Sequence, residues 1–187
     1  MTVVINLFGG SGLGKSTTAA LIFGEMKLMG EHCELVREYV KEWAWQGRKI
    51  TPSDQMTIFE NQLAREKMYY GKLDYVVTDS PLLLGPIYQK YYTGEDTIAK
   101  DVFNEIQNAE KEGVIYVNFL LKRNKAFDPR GRYETEEQAK EVDAYVEKYL
   151  KDHSIPFHTV VSTDRDRVND ILDIVIEEQD GNSNISK

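Results

Sequence analysis

The stretch Gly9-Gly10-Ser11-Gly12-Leu13-Gly14-Lys15-Ser16 decides the fold, because it matches G-x-x-x-x-G-K-[ST] without a gap. Each position has a physical task. The glycines let the backbone wrap around a phosphate, so that successive N–H groups point at its oxygens. The helix that follows adds the positive end of its dipole. Lys15 is placed to reach the β- and γ-phosphates, and the Ser16 hydroxyl to ligate magnesium. The expected nucleotide-binding set is therefore Gly9, Gly10, Ser11, Gly12, Leu13, Gly14, Lys15, Ser16 and Thr17, with ATP and Mg2+ as cofactors. The run Gly10-x-Gly12-x-Gly14 departs from the dinucleotide spacing G-x-G-x-x-G, and Lys15-Ser16 has no task in that scheme.

Such a loop needs a strand before it and a helix after it. Residues 3–8 form a short apolar run and read as a central parallel strand buried on both faces. Residues 15–27 read as a helix whose apolar stripe is Ala19, Leu21, Ile22 and Met26. Further strands are expected at 34–36, 75–78, 114–121 and 157–161. A helical turn is expected at 39–46 and a helix from the Thr51-Pro52-Ser53-Asp54 start to residue 70, with Ile58, Leu63 and Met68 inward. A long helix at 134–152 places Ala139, Val142, Val146, Tyr149 and Leu150 on one face. A last helix at 165–177 leads into a tail expected to fray. Strands alternating with helices imply an α/β fold, a parallel sheet covered on both faces, in one domain over 1–178 with a flexible tail at 179–187.

The bulk numbers fit one compact domain. The chain has 187 residues, 41% hydrophobic and 29% charged, with a formal charge of −8. That charge disfavours broad electrostatic binding to nucleic acid. A single cysteine, Cys33, excludes an intramolecular disulfide framework and fits a reducing cytoplasm. His32, His153 and His158 lack the spacing of a zinc site. No apolar run is long enough to span a bilayer, and the N-terminal MTVVINLF reads as a strand with no basic leader, so the expected location is the cytoplasm.

Three further groups carry chemistry. Asp79, after the apolar run 75–78, stands where a P-loop protein needs a second carboxylate for its magnesium. Ser80 follows it, where a hydrolase would carry a water-polarising glutamate, so the weight moves from hydrolysis to transfer. Arg37-Glu38 follows the second strand at the carboxyl edge, where α/β sheets bind ligands. Glu38 is the candidate to orient or deprotonate an acceptor hydroxyl, and Arg37 to bind its polar part. Gln62, on the helix with Gln55 and Asn61, offers an amide to a ring. The stretch 122–132 packs cations around Pro129 and Gly131 and reads as a lid, with Arg123, Arg130 and Arg132 directed at the transferring phosphoryl group. The candidate catalytic residues are thus Lys15, Glu38, Asp79, Arg123, Arg130 and Arg132; the acceptor set is Arg37, Glu38 and Gln62, and the metal set Ser16 and Asp79.

The loop, VREYVKEW (36–43), DQMTIFENQLAREK (54–67), VVTDSPLLLGPIYQKYYTG (76–94) and RGRYETEEQ (130–138), taken in order, resemble the P-loop kinases related to nicotinamide riboside kinase. The likeness is to the kinase domain of the bifunctional NAD-biosynthesis regulator and to its stand-alone bacterial and phage relatives. It implies an adenylate-kinase-like five-stranded sheet of order 2-3-1-4-5 with an arginine-rich lid, and it places Glu38 near the acceptor and Asp79 near the metal. The chain lacks a second acid near Ser80-Pro81 that the riboside kinase pattern has. Three readings stay open: a kinase for a small nucleoside-like acceptor, a kinase for modified bases or ends of nucleic acid, and a nucleotide-dependent ATPase or switch.

Overall fold

The computed structural model describes residues 1–124, 127–128, 130 and 134–185. Five strands build it: β1 (Thr2–Phe8), β2 (Cys33–Val36), β3 (Tyr75–Thr78), β4 (Val114–Leu121) and β5 (His158–Val160). They form one sheet of order β2-β3-β1-β4-β5, as the sequence implied, with every pairing parallel. β1 lies in the middle, registering Val3 with Tyr75 on one side and with Ile115 on the other. All seven of its residues are buried, which explains an apolar run without alternation.

Helices cover both faces. α1 (Lys15–Leu28) and α7 (Asp164–Ile185) lie on one face, where Val3, Ile5 and Leu7 pack with Ile22, Met26, Val168 and Ile171. On the other, Phe8 and Leu120 pack with Leu83 and Ile87 of the α4 (Leu84–Thr93) region, Val102 of α5 (Ala99–Lys111) and Val142, Val146 and Leu150 of α6 (Glu136–Asp152). Each such aliphatic side chain contributes about 1.5–3 kcal/mol of burial. α2 (Lys41–Trp45) is one short turn beyond β2. Cys33 is fully buried in β2 as a free thiol, and that burial raises its pKa.

Several elements differ from the sequence reading. The helix expected over 51–70 is a 3-10 turn (Pro52–Asp54) followed by α3 (Gln55–Lys67). Thr51 and Asp54 form its capping box. α3 buries Phe59, Gln62 and Glu66, while Met68 is exposed. Its inward face carries polar groups, and one oxygen of each finds a partner, while Gln62 Nε2 and Glu66 Oε2 have none among the described residues. Gln62 accepts from the Tyr39 amide, and Glu66 takes the Tyr70 hydroxyl, which in turn meets the Tyr116 hydroxyl at 2.8 Å. α4 and α5 fill a stretch in which no element was expected. α7 continues to Ile185, past the expected end at residue 177.

Candidate active site

The loops that leave the C-terminal ends of β1, β2 and β3 converge on one cavity of ≈ 620 Å³. β1 ends in the phosphate loop. Gly14 has φ 82°, a left-handed conformation that only glycine adopts without strain, and it starts α1 with no side-chain cap and no acid in the first turn. The opening amides of α1 are therefore left to an outside acceptor, the property of an anion site. At Gly10 the constraint is space. A Cβ there would lie 2.6 Å from Asp143 Oδ1 and 2.8 Å from the Ala139 carbonyl.

Lys15 is curled back on its own loop. Its Nζ donates to the Gly9 carbonyl at 2.7 Å and the Gly10 carbonyl at 2.8 Å. Burial pulls its pKa down, opposed by the carboxylates of Glu38, Asp79, Asp143 and Glu134. Glu38 sits at the end of β2 and Asp79 at the end of β3, both in the cavity wall. The Glu38 backbone N–H donates to Asp79 Oδ1 at 2.9 Å. Burial pushes the Glu38 pKa up, and the ammoniums of Lys15 and Lys41 oppose that shift. Ser16 lines the same cavity. A hydroxyl and a carboxylate with one oxygen left over suit a hard cation, and magnesium needs few protein ligands when phosphates and waters supply the rest. The described residues therefore fit a magnesium nucleotide.

Two arginines grip the loop from behind. Arg123 donates through Nε to Asp143 Oδ2 at 2.8 Å and through Nη2 to the Ser11 carbonyl at 2.8 Å. The other oxygen of Asp143 accepts from the Gly10 amide at 2.7 Å. Arg167, 2% exposed, donates to the Leu13 carbonyl at 2.8 Å and to the Lys122 carbonyl at 3.2 Å. Asp143 and Arg167 escaped the sequence reading. Both stand in charged stretches of sequence that read as helix surface, although Arg167 is buried, and nothing in their local pattern marks them as partners of the loop.

The other expected residues divide clearly. Ser11, Gly12, Gly14, Lys15, Ser16 and Thr17 line the cavity, whereas Gly9, Gly10 and Leu13 form the back of the loop. Arg37 is exposed and away from the cavity wall. Gln62 borders a small adjoining space that it shares with Glu38. Arg130 is exposed and pairs with Asp128. Arg132 lies outside the described residues, as does part of the expected lid. The cavity wall instead includes Tyr88 and Tyr92 of α4, Lys41 and Lys49, and Glu134 and Gln138 at the start of α6.

The sequence profile of a family described as an AAA domain matches residues 4–167. This chain belongs to that AAA-domain family. Among solved structures, the AAA domain is similar to the NadR protein in complex with NR, at TM-score 0.71 and 13% identity over 94% of this chain. It spans 51% of that NadR chain, so about half of it. Deoxyadenosine kinase from M. mycoides, solved with dCMP and dCDP products, matches at TM-score 0.57 and 19% identity, over 97% of this chain and 100% of the kinase. The same kinase with bound dATP matches at TM-score 0.55 and 19% identity, over 94% and 99% of the two chains. At these identities the likeness is one of fold. Among the described residues, no helix is long and apolar enough to cross a membrane.

Proposed function

We propose that this AAA domain is an ATP- and magnesium-dependent kinase that transfers a phosphoryl group to a hydroxyl of a small nucleoside-like acceptor. The observation that carries this reading is one cavity joining the phosphate loop to the half-buried carboxylate of Glu38. Lys15 exchanges its two loop carbonyls for donor phosphate oxygens, where its charge meets the charge that moves in transfer. Ser16 and Asp79 would hold the magnesium, which would neutralise phosphate charge when bound. Glu38 accepts the proton of the acceptor hydroxyl as the new O–P bond forms and the bond to the leaving ADP breaks. A raised pKa makes Glu38 a stronger base than an exposed glutamate, which suits that task. Arg130 would serve the donor phosphates as a further cation on leaving its pairing with Asp128.

Two neighbours of the same fold, one solved with NR and one named deoxyadenosine kinase, support a nucleoside-like acceptor. Ser80 after Asp79 supports transfer over hydrolysis, since a hydroxyl there does not polarise water as a carboxylate does.

The test is a panel of free nucleosides and oligonucleotides of the same bases with labelled ATP. Label in at least one nucleoside is expected. Label confined to polynucleotide, or ATP turnover indifferent to every acceptor, would sink the reading.

A further inference from the structure

The phosphate loop is gripped on its outer side at three points, by side chains that the reading above leaves without a task. Asp143 of α6 accepts the Gly10 N–H through Oδ1 at 2.7 Å and the Arg123 Nε–H through Oδ2 at 2.8 Å. Arg123, with its side chain 11% exposed, carries that anchor on to the Ser11 carbonyl at 2.8 Å. Arg167 of α7 donates through Nη1 to the Leu13 carbonyl at 2.8 Å. It is itself moored on the Ser162 carbonyl at 2.9 Å and the Lys122 carbonyl at 3.2 Å, just beyond the ends of β5 and β4.

The direction of each grip decides which way the loop peptides face. In a trans peptide the C=O of one residue and the N–H of the next point opposite ways. Asp143, Arg123 and Arg167 stand outside the cavity wall, whereas Gly12 and Gly14 belong to it. A Ser11 carbonyl drawn outward therefore turns the Gly12 N–H inward, and an outward Leu13 carbonyl does the same for the Gly14 N–H. At the first peptide the sense is reversed. The Gly10 N–H is drawn outward, which turns the Gly9 carbonyl to the inner side, where Lys15 Nζ takes it at 2.7 Å. Inward N–H groups form a nest for phosphate oxygens, and a nest fixed beforehand loses little freedom on binding.

We propose that Asp143 and Arg167 are positioning residues for the donor nucleotide, holding the loop peptides so that the Gly12 and Gly14 N–H groups face the cavity before the phosphates arrive. They act through the main chain of the loop and not on the phosphates. The inference rests on the nucleotide-binding half of the reading above and is independent of the acceptor.

The experiment titrates the full chain with tripolyphosphate and with ADP, leaving magnesium out so that Ser16 and Asp79 play no part. Asp143→Ala should raise both dissociation constants by roughly 10- to 100-fold, the range for a lost hydrogen bond to a charged group. Asp143→Asn keeps a carbonyl oxygen for the Gly10 N–H and should recover part of that loss. Arg167→Lys keeps the charge but not the fork that spans three carbonyls, so it should weaken both ligands too. Asp143 is 21% exposed, so its variants are expected to fold, and they decide the matter alone if Arg167→Lys does not. Unfolding temperatures are measured alongside. A lower unfolding temperature with unchanged affinity would make the grip merely structural and overturn the proposal. Unchanged affinity in folded Asp143→Ala would overturn it as well. A wild type that binds neither probe sinks the nucleotide reading and the proposal together. One that binds both but labels no acceptor sinks the kinase reading and leaves the positioning role standing.

Discussion

The backbone N–H of Glu38 and the Oδ1 of Asp79 are joined by a hydrogen bond of 2.9 Å. The two acids leave neighbouring parallel strands, β2 and β3, whose last registered pair is Val36 with Thr78. One oxygen of Asp79 therefore fixes the main chain that carries Glu38; the other is the one we assign to a metal or its waters, so the proposal gives Asp79 two tasks.

The first prediction separates those tasks. Asp79→Asn keeps an oxygen for the Glu38 amide but removes the charge. Affinity for magnesium-ATP should fall about 10- to 100-fold, while magnesium-free ATP binds nearly as before. Titrations with and without magnesium decide it. Equal losses would leave Asp79 with the structural task alone.

Lys15→Met should cut turnover by about 10²–10³, the usual cost of one group that stabilises moving charge. The fold should survive, because the variant no longer buries an ammonium. Circular dichroism and turnover together check this. Near-normal turnover in the folded variant would remove Lys15 from the chemistry.

The pH profile follows from Glu38. Its pKa is raised by burial, so activity needs a proton lost at a higher pH than an ordinary glutamate requires. The kcat/KM should fall as pH drops through that raised value, giving an acid limb above about 4.3. Glu38→Gln should nearly abolish turnover and spare ATP binding. An acid limb at the ordinary carboxylate value would place Glu38 outside proton transfer.

Glu66 predicts a stability effect away from the site. Burial raises its pKa to about 7, partly opposed by the hydrogen bond from Tyr70. An unfolded glutamate titrates near about 4.3, so between the two values the folded chain keeps a proton that the unfolded chain has lost. The contribution is fully present below the unfolded value and is lost as pH rises through 7. At its largest it corresponds to about 3–4 kcal/mol. Glu66→Gln should therefore gain on the wild type between pH 5 and pH 8 in urea unfolding. Parallel pH dependence of the two proteins would show that Glu66 does not titrate in this way.

Much of the frame was legible because it follows from apolar runs. All five strands and the five inward residues of α6 stand where the sequence put them. α4 was missed because Gly85 and Pro86 look like loop residues. Both fall in the first turn of the helix, where Pro costs no hydrogen bond. α3 misled in the opposite sense, since periodicity registers apolar side chains and its buried face includes Gln62 and Glu66. In the site, the strand-end acids were legible from topology alone. The far wall was not, because α4 and the start of α6 meet the phosphate loop only through packing. Arg123 read as a phosphate-seeking cation, and its described hydrogen-bond partners are Asp143 and the Ser11 carbonyl.

Cys33 has a practical consequence. It is the chain's one cysteine, fully buried in β2, with its thiolate disfavoured by burial. The folded protein should thus be nearly silent to maleimides and similar reagents. A cysteine introduced at an exposed position then becomes a unique attachment point for a fluorophore or spin probe, without any prior removal of the native one. Under mild denaturant the same thiol serves as a clock, since its alkylation rate reports how often the β2 edge of the sheet opens.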